Sequence, residues 1–468
     1  MTQQEKGALP STKYLPFILA TAIFMQMLDS TILNTSLPSI AADLNESPLN
    51  MQNAIISYVL TLALFMPVSG FLADKFGTKK VFVFSLILFS VGSLLCAISQ
   101  SLTQIVISRV IQGLGGALMT PVGRLALMKT FHKDELVKAL NYAIIPALIG
   151  PILGPLTGGY IVDYLSWHWI FLINIPIGVL GIFLGLRYMP NYKNSDYHFD
   201  LKGFLIFAAA SIFISLSLEM LGNAKNITPV LIVSIAGFLM FYFYYMHARK
   251  TENALFPLTL FQVRTFRIGI VGNLFTRLGI SSIPLLIPLL VQLAYSKSAV
   301  VSGWIVAPMA VTAMFGKSAV IKILNKIGYR QTLLINTTII GILILMLAIP
   351  GIHNSIYWYI PIIAILGFFN SIQFTAMNTI SISNLRDNLT SSGNSLLSVN
   401  QQLAVGFGIA FGLLVLKIFE NHPSVIGGEI HTAFRYTFLV MGFITILSGF
   451  IFRRLHFKDG DNMRSQHV

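Results

Sequence analysis

Apolar runs about twenty residues long recur from one end of this chain to the other, and that recurrence limits the environment it can fold in. At about 1.5 Å per helical residue, each run is long enough to cross the roughly 30 Å hydrocarbon core of a bilayer. In lipid, a helix satisfies every backbone N–H and C=O within its own segment, so long apolar runs predict membrane-spanning helices. Composition agrees: 55% of the residues are hydrophobic and 10% charged, where a soluble protein of this length carries about a quarter charged residues. The chain reads as an all-α integral membrane protein.

Six runs lie near 14–37, 53–73, 81–98, 102–125, 140–161 and 167–188. Six more lie near 266–292, 299–320, 331–349, 357–381, 392–418 and 433–452. Between them sit two further runs, near 203–221 and 229–246, separated by Gly222-Asn223-Ala224-Lys225-Asn226. Fourteen spans are therefore expected. They divide into a six-helix bundle over 1–190, a two-helix insert with its loops over 191–262 and a second six-helix bundle over 263–468. A twelve-span reading would make 191–265 an aqueous linker, and the apolar stretch 201–221 excludes that. The polar stretch 1–13 leads into the first span without a small-residue cleavage site, so no removable signal peptide is expected. The single cysteine, Cys96, lies inside an apolar run and reads as a packing residue.

The net charge of +14, from 31 basic and 17 acidic residues, is topological. Basic residues gather in alternate loops: Lys75, Lys79 and Lys80; Lys129, Lys133 and Lys138; Arg187, Lys193 and Lys202; Arg249, Lys250, Arg264 and Arg267; Lys322, Lys326 and Arg330; Arg453, Arg454, Lys458 and Arg464. The loops between them are nearly free of basic residues, and the first carries Asp43 and Glu46. This positive-inside pattern predicts a multi-pass protein of the cell (inner, cytoplasmic) membrane with both termini in the cytoplasm. It argues against nucleic acid as a partner.

The most specific short motif is Gly70-Phe71-Leu72-Ala73-Asp74-Lys75-Phe76-Gly77-Thr78-Lys79-Lys80, squeezed between two spans. Gly70 is small enough for helices to approach closely. Asp74 is placed to meet the positive N-terminal end of another helix, such as the span beginning near Ser392. Lys75, Lys79 and Lys80 hold the loop in the cytoplasm, and Gly77 completes the Gly–Asp–Gly spacing. This motif resembles the cytoplasmic loop signature of the major facilitator superfamily. A weak internal repeat, Asp74-Lys75-Phe76-Gly77-Thr78-Lys79 against Asn325-Lys326-Ile327-Gly328-Tyr329-Arg330, fits two homologous bundles, with the acid replaced by Asn325 in the second.

Ionisable groups within spans cost about 2.5–3.5 kcal/mol or more near a helix centre and are functional candidates. Asp29 shares roughly one helix face with Gln26, Ser30 and Asn34, a polar stripe that reads as a cavity lining. Arg109, in Arg109-Val110-Ile111-Gln112-Gly113-Leu114-Gly115-Gly116-Ala117, lies at the same depth as Asp29, about 12–13 Å below the outer surface. An acid and an arginine at one depth form a pair whose attraction depends on the proton the acid carries. Burial favours the neutral acid and the arginine the charged one, and the sequence leaves the balance open.

In the fifth span, Gly150, Pro151, Gly154, Pro155, Gly158 and Gly159 give a small, bent face for close helix packing. This repeated Gly-Pro resembles the antiporter motif of drug exporters in the superfamily. Together with Leu28-Asp29-Ser30-Thr31-Ile32, Met119-Thr120-Pro121-Val122-Gly123-Arg124, Trp167-His168-Trp169-Ile170-Phe171-Leu172-Ile173-Asn174-Ile175-Pro176 and Ser391-Ser392-Gly393-Asn394-Ser395-Leu396-Leu397, it resembles the fourteen-span drug:proton antiporter branch and, within it, the MdtD-type multidrug-resistance proteins. His168 departs from the arginine more usual there and reads as an interface residue.

The resemblance implies a proton-driven exporter working by alternating access. Asp29 would carry the proton, Arg109 modulate it, the Asp74 loop stabilise one conformation and the 150–159 helix shape the outer gate. The partners are then protons, membrane lipid and a small-molecule substrate. Arg277, about eleven residues into its span and on one face with Asn273 and Ser281, is a cation near mid-membrane; Asp29 and Glu219 are candidate counterions. With Asn370, Gln373, Asn378, Asn394, Asn400 and Gln401 it suits an anionic or zwitterionic substrate, an organic acid or a chelate, better than a lipophilic cation.

Gly316-Lys317-Ser318 mimics the end of a phosphate-binding loop, but Val311 stands where its first glycine would be. No ATPase domain, metal-ligand spacing, cofactor site or nucleophile–base set stands out, so no enzyme is expected. The rival readings are an uptake symporter on the same fold, a transport-dead sensor or assembly protein, and an ion channel.

Overall fold

The computed structural model describes residues 14–194, 199–222 and 226–463. The stretch 1–13, the tip 223–225 and Arg464 lie outside the described residues. Among the described residues all regular structure is helical. In chain order the first helices are α1 (Leu15–Asp43), α2 (Gln52–Phe65), α3 (Val68–Phe76), α4 (Thr78–Ala97), α5 (Leu102–Thr130), α6 (Lys133–Tyr164), α7 (Trp169–Leu172) and α8 (Asn174–Tyr188). They are followed by α9 (Leu201–Leu221), α10 (Ile227–Lys250), α11 (Arg264–Ile280), α12 (Ile283–Leu289), α13 (Ala299–Met346), α14 (Tyr359–Ile382), α15 (Asp387–Glu420), α16 (Pro423–Ile426) and α17 (Ile430–Phe452).

Two local features reconcile these helices with fourteen spans. Helices α2 and α3 are one span bent by 58°, and the bend falls at Pro67, which has no N–H to continue the helix. Helix α13, at 48 residues, is more than twice as long as a bilayer needs. It is interrupted at Gly328, whose φ of 76° is outside the helical region, so it is two spans joined by a turn. Twelve helices are long and apolar enough to cross on their own; adding the bent pair and splitting α13 gives fourteen among the described residues. Gly77, at φ 99°, makes the equivalent turn between α3 and α4. The two copies of the loop repeat thus share one backbone device.

Polar caps mark where the chain leaves the apolar layer. Ser101 accepts from the Gln104 N–H at the start of α5, Asn226 from Thr228 at the start of α10, and Ser298 from Val301 at the start of α13. Below, the face bearing the Lys75, Lys129, Arg264, Lys326 and Arg453 loops is the basic face, and its opposite the far face.

Packing separates the spans into groups. Helix α1 lies against α6 and α8, α4 against α5 and α8, and α2 against α5. In the second half α13 packs on α14 and α17, and α11 on α14, α15 and α17. The halves meet where α6 crosses α13, α2 crosses α15 and α1 meets α12. Helices α9 and α10 form a hairpin packed on α15, with Phe204 edge-on to Phe65 of α2 at 5.6 Å. The hairpin therefore touches both halves.

Candidate functional site

Asp29 and Arg109 meet inside the first half, as their matched depths predict. Arg109 Nη1 donates to Asp29 Oδ2 at 2.6 Å, and each residue is only 1% exposed. A buried ion pair offsets its desolvation only when the remaining hydrogen-bonding sites are filled. Here Gln112 Nε2 and Asn174 Nδ2 both donate to Asp29 Oδ1, at 2.7 and 3.0 Å. Both amides also donate to Ser93 Oγ. Arg109 gives Nε to the Ala54 carbonyl at 3.1 Å and Nη1 to Gln112 Oε1 at 2.6 Å, and its guanidinium lies 4.1 Å from the centre of the Tyr58 ring. The carboxylate is enclosed in a network rather than lining an open cavity, which corrects the reading of the polar stripe. Gln26 turns to another helix, where its Oε1 accepts from Thr120 of α5 at 2.5 Å, and Asn34 is buried.

The glycines beside Arg109 explain how the network closes. A methyl on Gly113 would come within 3.0 Å of the Tyr58 carbonyl oxygen, and one on Gly115 within 2.6 Å of the Ser85 carbonyl oxygen. A methyl on Gly92 would reach 2.5 Å from the Gln112 backbone nitrogen. Helix α5 therefore sits against α2 and α4 at backbone distance, close enough for Arg109 and Gln112 to reach Asp29 of α1. Sequence reading missed Gln112, Asn174 and Ser93. The three-residue spacing of Gln112 from Arg109 was a signal for the first; nothing in the sequence pointed to Ser93.

The Gly-Pro helix α6 is a two-sided joint. Gly150, Gly154 and Gly158, four residues apart, face Met27, Thr31, Ile32 and Thr35 of α1. Thr31 and Thr35 donate to the Gly150 and Pro155 carbonyls at 3.4 and 3.3 Å. On the other side a methyl on Gly159 would sit 2.5 Å from the Ala299 carbonyl oxygen of α13, while Gly303 of α13 faces the Pro155 carbonyl. Pro151 is partly buried beside this seam.

Asp163, one turn beyond Gly159, accepts from the Ala299 N–H at 3.2 Å and the Val300 N–H at 2.9 Å. It thereby caps a helix of the opposite half. Sequence reading missed this acid, although its spacing from Gly159 places both on one face. Gln292, in a π-helical turn over Leu290–Ala294, donates to the Thr35 carbonyl at 2.9 Å, and Lys417 donates to Asn50 at 2.9 Å. These bonds between the halves all lie toward the far face.

The basic face is different. A methyl on Gly70 would meet nothing within 4 Å, so Gly70 makes no close helix approach in this conformation. Asp74 pairs with Lys129 of α5 at 3.2 Å, within its own half and not at the start of α15. Lys75 is exposed and lies over the rings of Phe71 and Phe76. Gly77 is packed beside Asn191.

Arg277 has neither of its candidate counterions. Asp29 binds Arg109, and Glu219 accepts from Asn53 at 2.7 Å. Among the described residues no carboxylate lies within ion-pair distance of Arg277. Its Nε donates to Asn273 Oδ1 at 2.8 Å and its guanidinium lies 4.9 Å from the centre of the Phe374 ring. Asn273 Nδ2 is buried without a hydrogen-bond partner. Asn370 and Asn378 flank Phe374 one turn either way on α14, and Gln401 of α15 donates to Asn378 at 2.7 Å.

Two residues expected at the substrate are held by hydrogen bonds to neighbouring helices. Gln373 is buried and bonded to Asn336 and Thr337 of α13, and Asn400 donates to the Ile270 carbonyl of α11. An amide in an apolar span needs such partners whether or not it meets substrate. The Gly316-Lys317-Ser318 mimic lies inside continuous helix, with Gly316 against the Phe368 carbonyl.

The Major Facilitator Superfamily family description matches residues 19–409. The chain belongs to the major facilitator superfamily. A protein named for multidrug resistance, MdtD, of Pectobacterium atrosepticum is 42% identical over 450 residues, covering 95% of this chain and 96% of its own. MdtD of Escherichia coli O7:K1 is 41% identical over 449 residues, covering 95% of each. Among solved structures, a peptide transporter POT in complex with sulfate superposes with a TM-score of 0.71 at 14% identity, covering 99% of this chain and 98% of its own. A bacterial homologue of the human lysosomal transporter Spinster, inward-facing and unoccupied, gives 0.62 at 14%, covering 97% and 98%. At that identity the structures speak for the fold alone. This major facilitator is a multi-pass membrane transporter of the multidrug-efflux type and not an enzyme.

Proposed function

We propose that this chain exports a small molecule in exchange for protons by alternating access, with its basic face in the cytoplasm. The observation that carries this reading is the buried Asp29–Arg109 pair with Asp29 held by Gln112 and Asn174. While Asp29 is charged it neutralises Arg109. Once Asp29 is protonated, Arg109 is a buried cation without a counterion, a situation that costs about 3–5 kcal/mol when one partner of a buried pair is removed. That energy is released if α1 and α5 shift.

Helix α1 carries Asp29 on one side and the seam with α6 on the other, so its movement reaches α6 and, through Gly159 and Asp163, α13 of the second half. Residues 1–190 and 263–468 are the two rocking units, and 191–262 rides between them. The open space at Gly70, beside bonds concentrated toward the far face, fits a conformation open to the cytoplasm. In the opposite state Gly70 and Asp74 would close on the second half. A potential of 100 mV contributes about 2.3 kcal/mol per charge moved, enough for a gradient of tenfold or more.

The substrate is an organic acid or anionic chelate, because Arg277 is a cation without an acid opposite it. A carboxylate accepts a bidentate pair of hydrogen bonds from a guanidinium and supplies the missing charge. The deciding experiment pairs thermal stabilisation by organic acids, metal chelates and cationic dyes with flux in inverted vesicles. An organic acid that stabilises the protein and accumulates until an uncoupler is added is the expected result. Accumulation that ignores the uncoupler would remove proton coupling, net flux in the opposite sense would make the protein an uptake symporter, and binding of dyes alone would return it to ordinary multidrug efflux.

A further inference from the structure

On the outer surface of the second half, a groove of about 770 Å³ runs along the seam where α11 packs on α17. Its wall is apolar: Val271, Phe275, Leu447 and Phe450 are each between about a third and a half exposed. Its basic-face end is ringed by Arg264, Arg267 and Arg454. Arg264 is bound in bidentate fashion by Asp459, at 2.6 and 2.8 Å, so its charge is compensated. Among the described residues, the exposed side chains of Arg267 and Arg454 have no ion-pair or hydrogen-bond partner.

We infer that this groove binds one anionic phospholipid, its phosphate held by Arg267 and Arg454 and an acyl chain lying between α11 and α17. Length and charge both select that occupant. From Arg267 to Leu278 the groove follows eleven residues of α11, about 17 Å, close to one leaflet of a roughly 30 Å hydrocarbon core. A ligand with a negative head at the interface and an apolar tail of one leaflet's depth is a phospholipid, and basic pockets between spans are suited to anionic headgroups. A free phosphate would use the arginines and leave the apolar wall uncovered. Arg453 points to the other side of Phe450, over which its guanidinium lies at 4.5 Å, and lines a neighbouring groove. The site also touches function indirectly: α11 carries Arg277, so a lipid wedged along it steadies the helix that faces the substrate.

The test is native mass spectrometry and thermal melting of the full chain with phosphatidylglycerol, cardiolipin, phosphatidylcholine or inorganic phosphate. The wild type should retain an anionic lipid in preference to phosphatidylcholine and melt higher with it. The Arg267→Gln/Arg454→Gln double variant should melt as the wild type does in phosphatidylcholine yet lose that preference, by roughly fivefold for each arginine removed. An unchanged preference in the double variant overturns the assignment. So does equal stabilisation by inorganic phosphate, which would make this an anion site without a tail, or a wild-type dimer that the double variant abolishes, which would give the groove to a second copy of the chain.

Discussion

The carboxylate of Asp163, at the far-face end of α6, accepts the Val300 N–H of α13 at 2.9 Å, so an acid of the first half caps a helix of the second. A charge on a helix N-terminus contributes about 0.3–2 kcal/mol, and this one is set in a seam already closed by Gly159 and Gly303. Asp163→Ala should open the far face several-fold more often. In a Cys96→Ala background, a cysteine at position 299, buried in that seam, should react faster with a membrane-impermeant thiol reagent when Asp163 is replaced. Equal rates would mean that the cap does not hold the gate.

Removing one partner of the Asp29–Arg109 pair should cost more than removing both. Arg109→Ala leaves a buried carboxylate facing only amides and should lower stability by about 3–5 kcal/mol. Asp29→Asn/Arg109→Gln should melt at a higher temperature than Arg109→Ala alone. Asp29→Asn by itself should fold, insert and bind substrate but build no gradient that an uncoupler collapses. A proton-driven gradient in that variant would assign the proton to another group.

Arg277→Lys keeps the charge and loses the planar fork, so organic-acid affinity should fall by about tenfold or more. Arg277→Gln should lose it altogether and bind cationic dyes no worse. Binding competition in detergent reads both, and acid binding indifferent to either change would remove Arg277 from the substrate site.

At the basic-face start of the insert, Asp200 caps α9 and ties it to the segment after α10. Burial alone would raise its carboxyl pKa, but the N–H groups of Gly203 and Leu255, with the His247 ring, outweigh it and hold it below the ordinary carboxylate value. A depressed pKa contributes stability that is complete above the unfolded value of about 3.9 and is lost as pH falls through the lower folded value. Thermal melting should therefore show a decline below about pH 4 that Asp200→Asn lacks, with the variant less stable than wild type at neutral pH. Parallel pH profiles for the two proteins would be the contrary result.

The spans, their number and the close-packed glycines of α6 were legible in the sequence because each depends on local properties: a run of apolar residues, a proline or a small residue at helical spacing. Asp29 and Arg109 could be matched for the same reason, since depth along a straight helix is counted in residues. Which side chains complete a network across four helices depends on how the helices are rotated about their axes, and a chain of nearly uniform hydrophobicity carries little record of that rotation. For this reason Gln112, Asn174 and Ser93 gathered at Asp29 without being foreseen, and the partners that hold Gln373 and Asn400 were not foreseen either. The same limit applies to conformation. Asp74 carries the charge needed for a helix end in the other half, yet it lies beside Lys129, because what it faces depends on how the two halves are inclined. Sequence by itself determined that this chain is a fourteen-span major facilitator with charges buried at fixed depths. Only the tertiary structure decided which of those charges are paired, because pairing is set by helix rotation and by the contact of the two halves, neither of which is local to any segment.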